Sequence, residues 1–265
     1  MVKLEKEKYD FEDLLHIMDI LRAPDGCPWD IEQDHASIRR NFIEEVYEAC
    51  EAIDDGYSVH LCEELGDVLL QVVFHADIAE DEGAFDIGDV CTGVCKKLIL
   101  RHPHIFGDVK ADTAEQVLEN WDEIKKKEKK QKTYGQAMDE VAKSLPALIY
   151  AEKVQGRAKK AGFDWQDVSG ALDKVREETD ELEEALRDGS GVEDELGDLL
   201  FAAVNAARLA GVDPEQALVK ASRKFITRFK LMEAEAGERL GDMSLEQMDK
   251  LWEKVKMREP EKSDL

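Results

Sequence analysis

Acidic residues recur in one arrangement in two parts of the 265-residue chain. Each part has two adjacent glutamates with a third glutamate three positions on, and later a glutamate with an aspartate three positions on. These residues are Glu44, Glu45, Glu48, Glu64 and Asp67 in the first part, and Glu177, Glu178, Glu181, Glu195 and Asp198 in the second. Side chains three positions apart share one face of a helix. Two antiparallel helices can therefore bring four carboxylates together in each part.

Four carboxylates at one place repel one another unless a cation lies among them. An all-oxygen ligand set suits a hard cation, so we predict Mg²⁺ sites at which Mn²⁺ can substitute. The predicted ligands are Glu178, Glu181, Glu195 and Asp198 in the second part, and Glu45, Glu48, Glu64 and Asp67 in the first. A solvated acidic face is the alternative, because the chain has 61 acidic residues. Against it, both Glu–Asp pairs lead directly into apolar runs, at residues 68–74 and 199–204.

Further side chains of the second part have the chemistry that a phosphate ester or anhydride requires. Glu177 lies next to the ligand pair but about 100° round the helix, and we predict that it is the general base. Lys224 and Arg228 share a helix face, and we predict that they bind phosphate oxygens. The alternative for this pair is two solvated basic residues.

A nucleobase pocket is predicted from Asn205, which follows Asp198 by two helical turns. An amide can offer a base both a donor and an acceptor, whereas the equivalent position of the first part is Phe74. A buried asparagine that only satisfies backbone groups is the alternative. Trp252 is predicted to stack on the base, although core packing is the commoner role of a tryptophan. No phosphate loop of the GxxxxGK type is present in the sequence.

The spacing of apolar residues predicts helices and no strands, so the predicted fold is all-α. The predicted helices span about 9–21, 37–53, 59–79, 86–100, 169–187, 192–210 and 214–235, with others beginning at Thr113 and Ser244. The acidic residues recur at a nearly constant offset of about 130 residues, which indicates a duplication with loops of different length. We predict domains at 1–132 and 146–265, joined by a polar linker at 133–145.

The composition restricts the partners of the chain. Lysine and arginine number 36 and aspartate and glutamate 61, so the net charge is −25. Nonspecific binding to nucleic acid is not expected of such a chain. The five cysteines form no CxxC pair, and no segment is long and apolar enough to span a membrane. We therefore predict a cytoplasmic protein without a membrane partner.

The run LRAPDGCPWD at residues 21–30, the doubled acidic arrangement and the RHPH run at 101–104 resemble the MazG family of nucleoside triphosphate pyrophosphohydrolases. The resemblance covers essentially the whole chain. It implies two tandem MazG-type helical domains with four-helix-bundle-like cores, assembled as a homodimer. It also implies Mg²⁺-dependent hydrolysis of NTPs and dNTPs to the monophosphate and pyrophosphate, with broad base tolerance and with metal binding by the eight carboxylates named above. In proteins of this type the C-terminal half often carries the activity.

The hypothesis is therefore hydrolysis of the α–β phosphoanhydride of nucleoside triphosphates in the second domain. Two alternatives stay open. One is a dUTPase-like hydrolase of a single modified nucleotide, which a panel of substrates distinguishes. The other is a non-catalytic helical dimer whose carboxylates bind metal or a protein partner, and it predicts a metal-dependent melting temperature without turnover.

Overall fold

The computed structural model describes residues 5–56, 58–111, 113–114, 116–117, 120–121, 124 and 133–257. Within these ranges there are no strands, which confirms the all-α prediction. The chain divides into two compact units, residues 1–129 and 130–265. In the first unit the helices with defined bounds are α1 Phe11–Arg22, α2 Pro28–Ile31, α3 Arg39–Asp55, α4 Ser58–Asp81, α5 Ile87–Arg101 and α6 Pro103–Phe106.

Helices α3 and α4 form the most extensive contact of the first unit, and α1 packs on α4. Helix α3 ends at Gly56, whose φ of 73° is a left-handed conformation that glycine adopts without steric cost. The core lies where α1 and the turn before α3 meet α4. Its fully buried members are Met18, Ile38, Val73, Phe74 and Ile78. The α3–α4 hairpin therefore carries the first acidic group on a packed framework.

The second unit repeats the hairpin. Its helices are α7 Tyr134–Asp139, α8 Ala147–Lys160, α9 Val168–Asp188, α10 Val192–Leu209, α11 Pro214–Ala236 and α12 Leu245–Lys256, with a 3₁₀ helix at Gly237–Asp242 between the last two. Helices α9 and α10 form the most extensive contact, and α8 packs on α10 and α11. Ala171, Ala185 and Ala202 are buried on α9 and α10, and such small side chains allow two helices to approach closely.

Two glycines close the α9–α10 hairpin. Gly189 ends α9 with φ 71° and Gly191 precedes α10 with φ 76°, both in the left-handed region. Only three residues therefore separate the helices, which must run antiparallel. The hairpin brings the end of α9 next to the start of α10, where the second acidic group lies.

The sequence did not predict several short elements. Prolines begin the one-turn helices α2 and α6 at their first positions, where a missing N–H costs nothing. The predicted linker 133–145 contains α7, and its residues Ala137 and Val141 are buried. Thr113 caps the next turn through its Oγ1, which accepts a hydrogen bond from Gln116 N at 3.3 Å. Much of the helix predicted from there lies outside the described residues, and the domain boundaries stay a prediction.

Two long helices leave apolar surface uncovered. None of the fifteen residues of α5 is buried, and Val90, Val94 and Leu98 lie four positions apart along it. On α11, Phe225 and Phe229 are likewise exposed. In the described part of the chain no helix is long and apolar enough to cross a membrane.

Candidate active site

Three carboxylates meet at the α9–α10 hairpin. Glu178 and Glu181 lie one turn apart on α9, and Glu195 lies in the first turn of α10. One carboxylate oxygen of each lies within 4.8 Å of those of the other two. The partial positive charge of the α10 N-terminus favours a carboxylate at Glu195.

The charges of this group are only partly balanced. Lys174 Nζ lies 2.5 Å from Glu178 Oε1 and 2.9 Å from Glu177 Oε1, so one ammonium bridges both residues. These two hydrogen bonds, that to Glu178 foremost, raise the pKa of Lys174. Burial and then the neighbouring Glu178 raise the pKa of Glu181. One cation thus faces three carboxylates and the predicted base.

A buried oxygen without a partner points to a further cation. Glu178 is only 4% exposed, and its Oε2 has no hydrogen-bond partner. An uncompensated buried carboxylate oxygen is costly. A hard divalent cation takes oxygen ligands of this kind, so the residues present fit such an ion. This donor set contains no nitrogen or sulfur, which disfavours zinc.

The first unit has the same group at equivalent positions. Carboxylate oxygens of Glu45, Glu48 and Glu64 lie within 4.8 Å of one another. Glu64 is buried, its Oε2 has no hydrogen-bond partner, and His60 Nε2 lies 2.9 Å from its Oε1. Burial and then the charge of Asp67 raise the pKa of Glu45. Both units therefore concentrate negative charge at the same place on their hairpins.

The predicted fourth ligands are placed differently from the other six. Among the described residues, neither Asp67 nor Asp198 belongs to the group of its unit in which one oxygen from every member lies within 4.8 Å of all the others. Asp198 is exposed on α10, one turn after Glu195. The ligand set of four stays a prediction, and the geometry brings together three of its members in each unit.

Glu177, the predicted base, lies beside this group. Its side chain is exposed and faces the same ammonium of Lys174 that contacts Glu178. The sequence contained the signal for this bridge, because Lys174 precedes the two glutamates by three and four positions. In the first unit Asn41 occupies the position equivalent to Lys174, and the neighbouring Arg40 contacts Glu44, the residue equivalent to Glu177, at 2.8 Å.

Asn205 is buried on α10. Burial agrees both with a residue that binds the base and with an asparagine that only supports the structure. Its Oδ1 accepts hydrogen bonds from Arg208 Nε at 2.9 Å and from Arg208 Nη2 at 2.6 Å. The same guanidinium donates to both carboxylate oxygens of Asp164, in the turn before α9. These hydrogen bonds lower the pKa of Asp164. Sequence reasoning missed Arg208 and Asp164, because nothing in their spacing of 44 residues indicates a contact.

The other predicted substrate residues lie on α11 and α12. Lys224 is exposed, and no described contact joins it to the carboxylates of α9 and α10. Arg228, one turn further on, is half-buried. The indole of Trp252 packs against Phe225, with ring centroids 5.1 Å apart. Their roles in phosphate and base binding stay predictions.

Two α-helical hairpins, each with a group of three carboxylates that could hold a metal ion, define an all-α candidate metal-binding class, and comparison with a known family identifies it. Residues 33–106 and 166–232 match the MazG nucleotide pyrophosphohydrolase domain. Each segment contains one complete carboxylate group, and together they cover more than half of the chain. The chain therefore belongs to the MazG family, which confirms the resemblance seen in the sequence.

Individual relatives match over nearly the whole chain. It is 47% identical over 249 residues to the "Nucleoside triphosphate pyrophosphohydrolase/pyrophosphatase MazG" of Thermotoga maritima, covering 93% of this chain and 95% of that protein. It is 44% identical over 254 residues to the "Nucleoside triphosphate pyrophosphohydrolase" of Escherichia coli K12, covering 93% and 97%. An uncharacterized protein of Bacillus subtilis, YabN, is 47% identical over 262 residues, which are 96% of this chain and 53% of that protein.

Proposed function

We propose that the protein is a Mg²⁺-dependent nucleoside triphosphate pyrophosphohydrolase with broad base tolerance. It hydrolyses NTPs and dNTPs to the monophosphate and pyrophosphate. The observation that carries the proposal is the group of Glu178, Glu181 and Glu195, with its buried, unpartnered oxygen on Glu178. Family membership and the printed names of the relatives support the same reaction.

In this proposal the residues of the second unit bind the metal ion and transfer the proton of the attacking water. Glu178, Glu181, Glu195 and Asp198 hold the cation, which when bound neutralises phosphate oxygens and orders the attacking water. Water adds to the α-phosphorus, its proton passes to Glu177, and the bond from the α-phosphorus to the bridging oxygen of the β-phosphate breaks. Pyrophosphate leaves with that oxygen.

Basic side chains balance the charge of the triphosphate. The ammonium of Lys174 already lies against Glu177 and Glu178, so it is next to the place where the phosphates bind. Lys224 and Arg228 bind the departing pyrophosphate, and Asn205 and Trp252 contact the base. Electrostatic attraction of this kind strengthens where water is excluded.

A homodimer completes the proposal. The stripe of Val90, Val94 and Leu98 on α5 and the exposed Phe225 and Phe229 on α11 are apolar surfaces that a second copy can cover. Because no described contact joins Lys224 to the carboxylates of its own unit, assembly is one way to bring such a residue to a site.

The test is pyrophosphate release from each common NTP and dNTP with Mg²⁺, for the intact chain, for Glu178→Gln and for Glu45→Gln. The last two change equivalent positions of the two units and serve as each other's control. We expect Glu178→Gln to lower kcat/KM by at least about 100-fold, because loss of a side chain that merely supports a metal ligand already costs about 10–100-fold. Glu45→Gln should leave most activity.

Loss with Glu45→Gln alone would move catalysis to the first unit. Turnover of one nucleotide only would favour the hydrolase of a single modified nucleotide. An intact chain without pyrophosphate release from any nucleotide would overturn the proposal in favour of the non-catalytic metal-binding dimer.

A further inference from the structure

Arg208 makes four hydrogen bonds at the last turn of α10, although its side chain is only 10% exposed. Two go to the carboxylate of Asp164, at 3.1 and 2.5 Å, and two go to Asn205 Oδ1, at 2.9 and 2.6 Å. A guanidinium held at four points, with its charge balanced by a carboxylate, has little freedom to rotate. The geometry of Asn205 is therefore set by a rigid neighbour.

This contact determines how the Asn205 amide is oriented, that is, where its oxygen and its nitrogen lie. A guanidinium has donors and no acceptor, so only the amide oxygen can face it. The amide nitrogen must then point away from Arg208, and no partner for Nδ2 is present among the residues that the structure describes. Asn205 as a whole is 8% exposed, but its Nδ2 is not one of the fully buried side-chain atoms that lack a hydrogen-bond partner, so a bound molecule can reach it. Asn205 is thus left with donors to offer and without a free acceptor.

The first unit also has a guanidinium at the equivalent position of its hairpin, but there it lies against an aromatic ring instead of an amide. Phe74 and Asp77 occupy the positions equivalent to Asn205 and Arg208. Here the guanidinium comes from Arg22 at the end of α1, donates to Asp77, and lies 5.4 Å from the centroid of the Phe74 ring. Both units therefore place a guanidinium against this helix position. Only the second unit leaves hydrogen-bond donors there.

We propose that Arg208, anchored by Asp164, is a positioning residue that makes Asn205 a donor-only reader of the nucleobase. This inference rests on the proposed function and deepens it. Every common nucleobase carries a carbonyl oxygen or ring nitrogen that accepts a hydrogen bond. A fixed pair of N–H donors can therefore contact any of them, and it explains a site that tolerates many bases. It also revises the sequence prediction that the amide offers both a donor and an acceptor.

The decisive variant is Asn205→Asp. The carboxylate is nearly isosteric with the amide and keeps an oxygen facing Arg208, so the fold has no reason to change. It removes the amide donors and adds one negative charge, whose effect on the triphosphate is the same with or without a base. We expect KM for each NTP to rise roughly tenfold, the effect of one lost hydrogen bond, with kcat nearly unchanged. The KM for ribose 5′-triphosphate, which has no base and reports only the added charge, should rise much less.

The role of Arg208 is tested with Arg208→Lys. Lysine keeps the charge opposite Asp164 but cannot bond Asn205 Oδ1 at two points, so the amide regains freedom to flip. KM for NTPs should rise severalfold, and this rise should vanish when Asn205→Asp is already present. Arg22→Lys is the matched control, because it makes the same change in the first unit and should leave KM unaltered.

The outcomes separate the two proposals. Wild-type turnover together with an unchanged KM in Asn205→Asp would overturn the donor-only reading and leave the hydrolase intact. A rise in KM of equal size for ribose 5′-triphosphate would make Asn205 and Arg208 merely structural. If the wild type turns over no nucleotide, the hydrolase fails. Calorimetric titration with UMP and AMP then decides the inference, which fails if Asn205→Asp binds both as tightly as the wild type.

Discussion

At the scale of single residues, the two carboxylate groups have the same members and different neighbours. In the second unit Lys174 bridges Glu177 and Glu178. In the first unit two separate side chains contact the equivalent region: Arg40 pairs with the exposed Glu44, and His60 with the buried Glu64. One ammonium against both the predicted base and the buried ligand is therefore particular to the second unit. A triphosphate adds negative charge to that place, and we propose on this ground that turnover belongs to the second unit.

The unpartnered oxygen of Glu178 makes a prediction about stability. A cation that binds only the folded chain stabilises it, by about 2.7 kcal/mol when its concentration is 100 times Kd. We expect Mg²⁺ and Mn²⁺ to raise the melting temperature of the wild type without nucleotide. Glu178→Gln removes a charge from the ligand set, so it should abolish most of the rise that belongs to the second unit. Thermal unfolding followed by circular dichroism measures both.

The control for this measurement is Glu184→Gln, on the same helix α9 but outside the carboxylate group. Mg²⁺ should raise the melting temperature of this variant by as much as it raises that of the wild type. An equal Mg²⁺ shift in Glu178→Gln and the wild type would show that the cation does not bind at this group.

At the scale of elements, spacing and capping predicted the long helices well. The helix predicted at 86–100 is α5, Ile87–Arg101, and the capping box of Asp86 and Asp89 explains its start. The predicted faces also held, because Glu178 and Glu181 do point to Glu195. Helical periodicity gives a face but no distance, which is why it could not say which carboxylates of each hairpin lie within 4.8 Å of one another. The Arg208 contacts depend on a turn, and turns have no periodic signal.

In the turn between α8 and α9, the Trp165 indole lies directly against Gly170 at the start of α9. A Cβ at Gly170 would lie 2.8 Å from Trp165 Cγ, so alanine must displace the indole. We expect Gly170→Ala to destabilise the second unit by about 1–3 kcal/mol, the usual cost of overpacking. Because Asp164 lies beside Trp165, the change should also raise KM for NTPs. Urea unfolding followed by tryptophan fluorescence measures the stability.

Gly156→Ala is the matched control. Gly156 lies inside α8, where a Cβ would have no atom within 4 Å. Alanine there should stabilise the helix by about 0.5–1 kcal/mol. If Gly170→Ala were as stable as the wild type, the contact with Trp165 would not hold this turn.

At the scale of the whole molecule, net charge and exposed apolar surface have opposite effects on the association of two copies. A net charge of −25 disfavours association of copies through self-repulsion. An exposed apolar helix face favours it, at roughly 25 cal/mol for each Å² buried. Helix α5 has no buried residue, and Leu98 is 46% exposed next to Val94. Ile87 at the start of α5 packs against the core of its own unit, but the exposed face of Val90, Val94 and Leu98 gains stability from a further surface.

The last prediction follows from this helix. We expect the intact chain to have twice the mass of one 30.0 kDa chain by light scattering at micromolar concentration. Leu98→Glu places a charge in the centre of the α5 stripe, where burial without a partner is costly, so it should shift the mass towards one chain. Leu245→Glu is the control, because Leu245 at the start of α12 is 82% exposed and lies in the other unit. A wild type of one-chain mass refutes the dimer, and a Leu98→Glu protein that stays dimeric moves the interface away from α5, with α11 as the next surface to test.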